Sequence, residues 1–314
     1  MPIALLKFPY DLLAEVFEHC DPFELYKLSK CSKRTQRSIK LGETKNWKLQ
    51  FSGGNKIITT VDSLHYNFVK SEQPENYFKI RNAGRYGKHM GIQIGDPFDV
   101  FFYLIDTFRI RTVESLVIHF GNFDAYSQAA KELIERNIEI EEVYIDDTPE
   151  VDKIMPVLNE MHVTQKFECL KKFPSNFRHQ FEKFPKKIFI DYSFWFTIDQ
   201  LLECSCVRIE LQESMLSNQD LDLFLQQWKK KGSFPNLRWL QIVSKKIDDK
   251  SPILGMIPPI ENARPRTRLW YGADRIDSPV QMIRDDGIVG SLRVRLANWS
   301  TLKFLVGDPI APSI

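Results

Sequence analysis

From Asp96 onward the sequence alternates between two hydrophobic periods, and that alternation restricts the chain to a mixed α/β architecture. After Asp96-Pro97, the residues Phe98, Phe101, Phe102, Ile105 and Phe108 recur at three- and four-residue steps, so they line one face of a helix. A strand is expected at Ser115 to Phe120, a helix over about Ala125 to Arg136 and a strand at Glu142 to Ile145. Thr148-Pro149 opens a further helix through Ile154 and Leu158. The theme returns with a strand at Lys187 to Ile190 and a capping box, Thr197-Ile198-Asp199-Gln200, that starts a helix ending near Cys204. Val207 to Leu211 reads as a strand, Ser217-Asn218-Gln219-Asp220 as the start of a helix through Trp228, and Leu237 to Ile242 as a strand. Units of this kind at irregular steps of roughly 20 to 45 residues suggest stacked repeats, each burying its apolar face on a neighbour. The expected fold class is α/β: a small helical segment, then an irregular leucine-rich-repeat-like helix/strand solenoid lacking the regular leucine and asparagine signature. A doubly wound α/β sheet is the alternative.

Residues 49–95 read instead as short strands and turns, with Ser52-Gly53-Gly54-Asn55 able to turn a hairpin between Leu49-Phe51 and Ile57-Val61. The expected division is therefore 1–48 helical, 49–95 β-rich and connecting, and 96–314 repeat-like. Of the 314 residues 43% are hydrophobic, enough for a real core and too many for global disorder. The formal net charge of +2 does not describe a protein built to neutralise phosphates. The 5 cysteines are odd in number and include no CxxC pair, which fits reduced, buried thiols in the cytosol or nucleus. The opening apolar stretch, Ile3 to Leu6, is too short for a signal-peptide core. The run Val100 to Ile105 falls far short of the roughly 20 residues of a membrane span, so no membrane partner is expected.

The first fifty residues carry three short helices. Phe8-Pro9-Tyr10-Asp11 opens the first, whose stripe is Leu12, Leu13, Val16, Phe17 and Cys20. Asp21-Pro22-Phe23-Glu24 opens the second, with Leu25 and Leu28 on its apolar face, and Ser32 caps a third toward Ile39. About forty residues of this kind rarely make a core alone, so either the rest of the chain or a second protein must cover them. Phe8-Pro9-x-x-Leu12-Leu13-x-x-Val16-Phe17 followed by Asp21-Pro22-x-x-Leu25-x-x-Leu28-x-x-Cys31-Ser32-Lys33-Arg34 resembles the F-box motif over roughly residues 5 to 48. Phe8 stands where leucine is commoner, and Thr35-Gln36 follows where a tryptophan is often found. The resemblance implies a Skp-family adaptor as partner and, through it, a cullin complex. On it Pro9, Leu12, Leu13, Val16, Phe17, Pro22, Leu25 and Leu28 map onto the docking surface and its support. The basic stripe Lys27, Lys30, Arg34 and Arg37 reads as a solvated helix face.

A second resemblance runs from Phe184-Pro185 through Trp195 and Leu201-Leu202 to Ile242, its most specific part being residues 216–242. This stretch is similar to the type 2 F-box-associated domain of nematode F-box proteins. What the pair implies is recruitment of a protein target for ubiquitination, without naming the target; a ligase-independent scaffold is the alternative. A nucleic-acid binder would need Lys229-Lys230-Lys231 to converge with Arg264, Arg266 and Arg268, and the near-neutral charge disfavours it.

Catalytic, metal and cofactor sites are not expected. The six histidines are scattered and none forms HExxH or a paired metal spacing. Gly84 to His89 lacks the spacing and the Ser/Thr of a phosphate loop. Cys204-Ser205-Cys206 reads as core rather than nucleophile, and Asp286-Gly287 as a hairpin turn. Strand alternation supplies the candidate target-binding set: with the aliphatic residues inward, His119, Tyr144, Phe189, Arg208, Glu210, Trp239 and Gln241 line the opposite sheet face. Burial of that face by helices or by the C-terminal segment is the competing expectation.

Overall fold

The computed structural model describes residues 5–40, 47–52, 55–59, 64–84, 87–93, 97–118, 123–146, 153–262 and 267–307. By packing, the chain forms two compact units, residues 1–144 and 145–314.

The first unit begins with helices α1 (Tyr10–His19), α2 (Pro22–Cys31) and α3 (Lys33–Ile39). Pro9 is the N-cap of α1, one position earlier than its expected place inside the first turn. Asp21 and Glu24 close a reciprocal capping box at the start of α2, and Ser32 caps α3 by accepting from the Thr35 amide. Strands β1 (Lys48–Ser52), β2 (Asn55–Thr59), β3 (His65–Lys70), β4 (Ile80–Ala83) and β5 (Gly87–Ile92) follow, then α4 (Pro97–Phe108), β6 (Thr112–Ile118), α5 (Phe123–Glu135) and β7 (Glu139–Ile145). Their sheet runs β7-β6-β1-β2-β3-β5-β4. The expected β1/β2 hairpin forms, pairing Ser52 with Asn55, while Gly53 and Gly54 lie outside the described residues. The helix expected from the phenylalanine pattern is α4, with Phe98, Phe101, Leu104, Ile105 and Phe108 buried. Phe102 sits only half-buried, beneath the Arg136 guanidinium, so it belongs to the flank of that face.

The second unit contains α6 (Met155–Glu160), β8 (Val163–Cys169), β9 (Lys187–Ile190), α7 (Ile198–Glu203), β10 (Arg208–Ser214), α8 (Asn218–Lys229) and β11 (Trp239–Ser244). The chain ends its described part with β12 (Arg268–Tyr271), β13 (Asp274–Asp277), β14 (Val280–Ile283), β15 (Val289–Arg295) and β16 (Ser300–Val306). The order is β8-β9-β10-β11-β16-β15-β14. β8 to β11 are parallel and follow chain order, whereas β16, β15 and β14 are antiparallel. Right-handed crossovers between strands added always on the same side leave their helices on one sheet face. A doubly wound sheet needs a reversal of strand order, and β8 to β11 contain none. The helix-covered face is the aliphatic one: Ile188, Ile209, Leu240 and Phe304 are neighbours in register and buried, and Trp228 of α8 meets Phe304 edge-on at 4.8 Å. Gly290 permits this approach, because a Cβ there would sit 2.7 Å from the Trp228 ring. The Asp286-Gly287 turn joins β14 to β15 as expected.

Thr197 caps α7, but the expected capping box is only half present. The Gln200 side chain turns away from the cap, accepting from the Phe181 amide and donating to the carbonyls of His179 and Trp195. A loop without secondary structure must satisfy its backbone groups elsewhere, and Gln200 does this for the stretch between β8 and β9.

Candidate docking and recruiting surfaces

The helical segment has two apolar sides with different fates. On one, Phe23 is fully buried and meets Tyr66 and Phe68 of β3 edge-on, each at 5.1 Å, and Tyr26 meets Phe68 at 5.1 Å. Polar ties hold this seam. Lys88 of β5 pairs with Asp21 at 3.4 Å, Tyr103 of α4 donates to Ser29 Oγ at 2.7 Å, and Gln36 donates to Thr107 at 3.2 Å. Lys30, expected on a solvated stripe, lies 3.5 Å from the centre of the Tyr103 ring, and burial lowers its pKa. The rest of the chain therefore covers the Phe23–Tyr26 side.

On the other side Leu12 is 49% exposed, with Pro9, Phe8 and Tyr10 exposed beside it. Val16 and Leu28 are half-buried, whereas Leu13, Phe17, Pro22 and Leu25 are buried. The eight residues expected to dock and support thus divide into Pro9 and Leu12, open at the start of α1, the half-buried Val16 and Leu28, and four buried residues. Exposed apolar side chains gathered in one place are characteristic of an interaction site. The contribution of Phe23 and Tyr26 was missed because Leu25 and Leu28 account for one apolar face of α2 by themselves. The i, i+3 spacing of Phe23 and Tyr26 is the signal that marks a second.

In the second unit, Phe189, Glu210 and Gln241 lie side by side in parallel register, as do Arg208 and Trp239, so the expected shared face exists there. Trp239, however, does not stand open on it. The β12/β13 hairpin covers this residue: it is 0% exposed, packed with Leu269 and Ile276 and stacked on Tyr271 at 5.9 Å. Arg208 is half-buried and ion-paired with Glu210 and with Asp274 of the hairpin. An indole left on the polar face of a sheet drives burial by whatever apolar segment follows in the chain, here Leu269, Tyr271 and Ile276. Phe189, Glu210 and Gln241 are half-buried. Tyr144 belongs to the first unit, where its hydroxyl donates to Glu142 at 2.7 Å, and His119 lies outside the described residues.

The loop between β8 and β9 borders a cleft of about 1010 Å³ lined by Asn159, Arg178, His179, Phe181, Lys183 and Glu203 among others. His179 packs against Phe181 and Trp195, and burial pulls its pKa down to about 4. Cys204 and Cys206 are buried, Cys206 donates to the Pro185 carbonyl at 2.9 Å, and burial pushes its thiol up, so Cys206 offers no thiolate to solvent. Of the cations on which a nucleic-acid surface would rest, Arg264 and Arg266 lie outside the described residues, and Arg268 faces Asp277 at 3.7 Å.

Residues 5–46 match the family model of the F-box domain, and residues 170–242 match a family model described as F-box associated. The chain therefore carries an F-box domain followed by an F-box-associated domain. At the family level this is the domain pair of SCF-type substrate-recognition adaptors, a class that is typically non-enzymatic, and F-box domains generally bind Skp-family proteins. The second match runs from the β8/β9 loop into β11 and includes the stretch from Phe184 to Ile242 that carries the resemblance. No curated protein and no solved structure matches the chain. No helix among the described residues is long and apolar enough to cross a membrane.

Proposed function

We propose that this chain is a non-catalytic substrate-recognition subunit of a cullin–RING ubiquitin ligase, acting in the cytosol or nucleus. Residues 1–48 dock on a Skp-family adaptor, residues 49–95 connect, and residues 96–314 recruit a protein target. The observation that carries docking is the exposure of Phe8, Pro9, Tyr10 and Leu12 at the start of α1, on a module whose other apolar side its own chain already covers. A surface that remains open after the module has packed is the one left for a partner. For recruitment, the set is Phe189, Arg208, Glu210 and Gln241 in the second unit, with Trp239 serving to seat the β12/β13 hairpin beside it. Aromatic and arginine side chains are frequent interface anchors.

Affinity purification with cullin activity blocked, followed by mass spectrometry, tests both halves. Leu12→Asp places an unpaired charge in the docking interface and is expected to remove the adaptor and cullin while leaving the thermal midpoint unchanged. Phe189→Ala with Gln241→Ala is expected to keep the adaptor and lose the target. Normal recovery of adaptor and cullin by the Leu12→Asp protein would show the docking assignment to be wrong.

A further inference from the structure

The connecting strands hold a second candidate site, distinct from the recruiting face and independent of it. A cavity of about 170 Å³ is lined by Lys70, Lys79, Arg81 and His89 together with Asn76 and Gly91, and no lining residue is acidic. Sheet register explains the convergence. β4 pairs antiparallel with β5, setting Arg81 beside His89, and β3 runs parallel to β5, setting Val69 beside Gly91. The opposite side of these strands carries Phe68 and Met90 into the core, so Arg81 and His89, which alternate with Ile80 and Met90, are left on the outer face. Gly91 shapes the wall. The Pro74–Asn76 turn comes down so closely that a Cβ at residue 91 would sit 2.6 Å from the Asn76 carbonyl.

The charges are concentrated and largely unspent. Lys70 faces Glu72 at 3.6 Å, an open pair in which both side chains are mostly solvated. Glu75 lies in the adjoining turn. Among the described residues no acid pairs with Lys79, Arg81 or His89. The chain as a whole is nearly neutral, so this is a local feature rather than part of a broad basic field.

β4 ends the order of its sheet, and among the described residues no strand lies on its far side. Its residues Ile80, Arg81 and Asn82 are exposed, Ile80 by 42%. A free edge offers backbone groups to an incoming extended chain. Alternation then sets what that chain must carry: one side chain falls beside Arg81 and His89, and the next falls beside Ile80 on the opposite face. We infer that β4 binds an extended peptide of alternating acidic and apolar residues, its anionic group, carboxylate or phosphate, seated among Lys79, Arg81 and His89. The strand edge favours a peptide over a nucleic acid, whose sugar–phosphate backbone lacks the regularly spaced N–H and C=O groups that pair with a strand.

Fluorescence anisotropy on the full chain tests this with labelled peptides alternating valine with glutamate, the same peptides with phosphoserine for glutamate, and a single-stranded oligonucleotide of equal charge. The phosphoserine peptide is expected to bind more tightly than the glutamate one, because a dianion makes stronger charge-assisted hydrogen bonds. Arg81→Glu and Lys79→Glu are each expected to weaken both peptides about tenfold or more, and Ile80→Asp to weaken them with the cationic cluster intact. These positions are exposed, so the thermal midpoint is expected to stay at the wild-type value. Undiminished peptide binding by Arg81→Glu, absence of binding by either peptide, or tighter binding of the oligonucleotide overturns the proposal.

Discussion

Leu12 and Leu25 are both apolar F-box positions, yet Leu12 is 49% exposed and Leu25 is 2% exposed. Aspartate at Leu12 meets water in the free chain and is costly only when a partner arrives. Aspartate at Leu25 is buried at once, so Leu25→Asp is expected to destabilise the F-box by about 3 kcal/mol or more and to lose the adaptor by unfolding. Circular dichroism separates the two variants. His179 gives a second prediction at this scale. Its ring is held neutral against Phe181 and Trp195 with a pKa of about 4, below the ordinary 6.5. Unfolding releases that constraint, so the unfolded chain takes up a proton between the two values and stability falls as pH drops from about 6.5 toward 4. The loss is at most about 3 kcal/mol, reduced by the part of the ring open to solvent. His179→Phe is expected to flatten this acid limb in urea titrations followed by tryptophan fluorescence. Parallel decline of variant and wild type from about pH 7 to pH 5 would assign the limb to other groups.

The β14/β15 hairpin is tied to the end of α8 by one buried cation. Arg284 donates to the Ser233 carbonyl at 2.6 Å and to Asp286 at 2.8 Å, and its guanidinium lies 5.8 Å from the centre of the Trp228 ring. The same contact holds the Asp286 carboxyl down at about 2. Hydrogen bonds to a charged group contribute about 1.5 to 3 kcal/mol each, and the acceptors left behind lose their partner. Arg284→Met is therefore expected to lower the stability of the second unit by about 2 to 3 kcal/mol while preserving the apolar contact with Trp228. The measurement is the urea midpoint by Trp228-sensitive fluorescence, and an unchanged midpoint would show the tie to be redundant. Arg284 escapes a reading of periodicity because a lone arginine before Asp285-Asp286-Gly287 looks like any turn residue.

At the scale of the molecule, the two compact units divide the intrinsic probes unequally. Trp47 lies in the first, whereas Trp195, Trp228, Trp239, Trp270 and Trp299 lie in the second. Phe68 is fully buried under Phe23 and Tyr26, so Phe68→Ala is expected to destabilise the first unit by about 3 to 5 kcal/mol. If each unit has its own cooperative transition, far-ultraviolet circular dichroism will show an earlier phase while the bulk of the tryptophan signal keeps its midpoint. Coincident shifts of both probes would instead show that the two units unfold as one.

Much of this was legible in the amino-acid order, because it depends on local rules. Caps at Asp21, Ser32 and Ser217, the strand Lys187 to Ile190 and the aliphatic sheet face follow from hydrogen bonds and side-chain alternation within a few residues. The F-box motif is equally local, as is the run at residues 216–242. What periodicity does not contain is which segment, distant in sequence, comes to cover a given face. Alternation correctly places Trp239 opposite the aliphatic residues, but its burial depends on a hairpin about thirty residues further on. Leu12 and Leu25 share one residue type and one motif, and only the packing of α2 against β3 separates the exposed side from the covered one. Gln200 looks like the second half of a capping box until the β8/β9 loop presents backbone groups that need it more. Arg81 and His89 are unremarkable in order, and only antiparallel register sets them side by side on the rim that Lys79 shares. Burial and convergence are properties of long-range contacts, whose energy is decided by the whole fold rather than by neighbours along the chain.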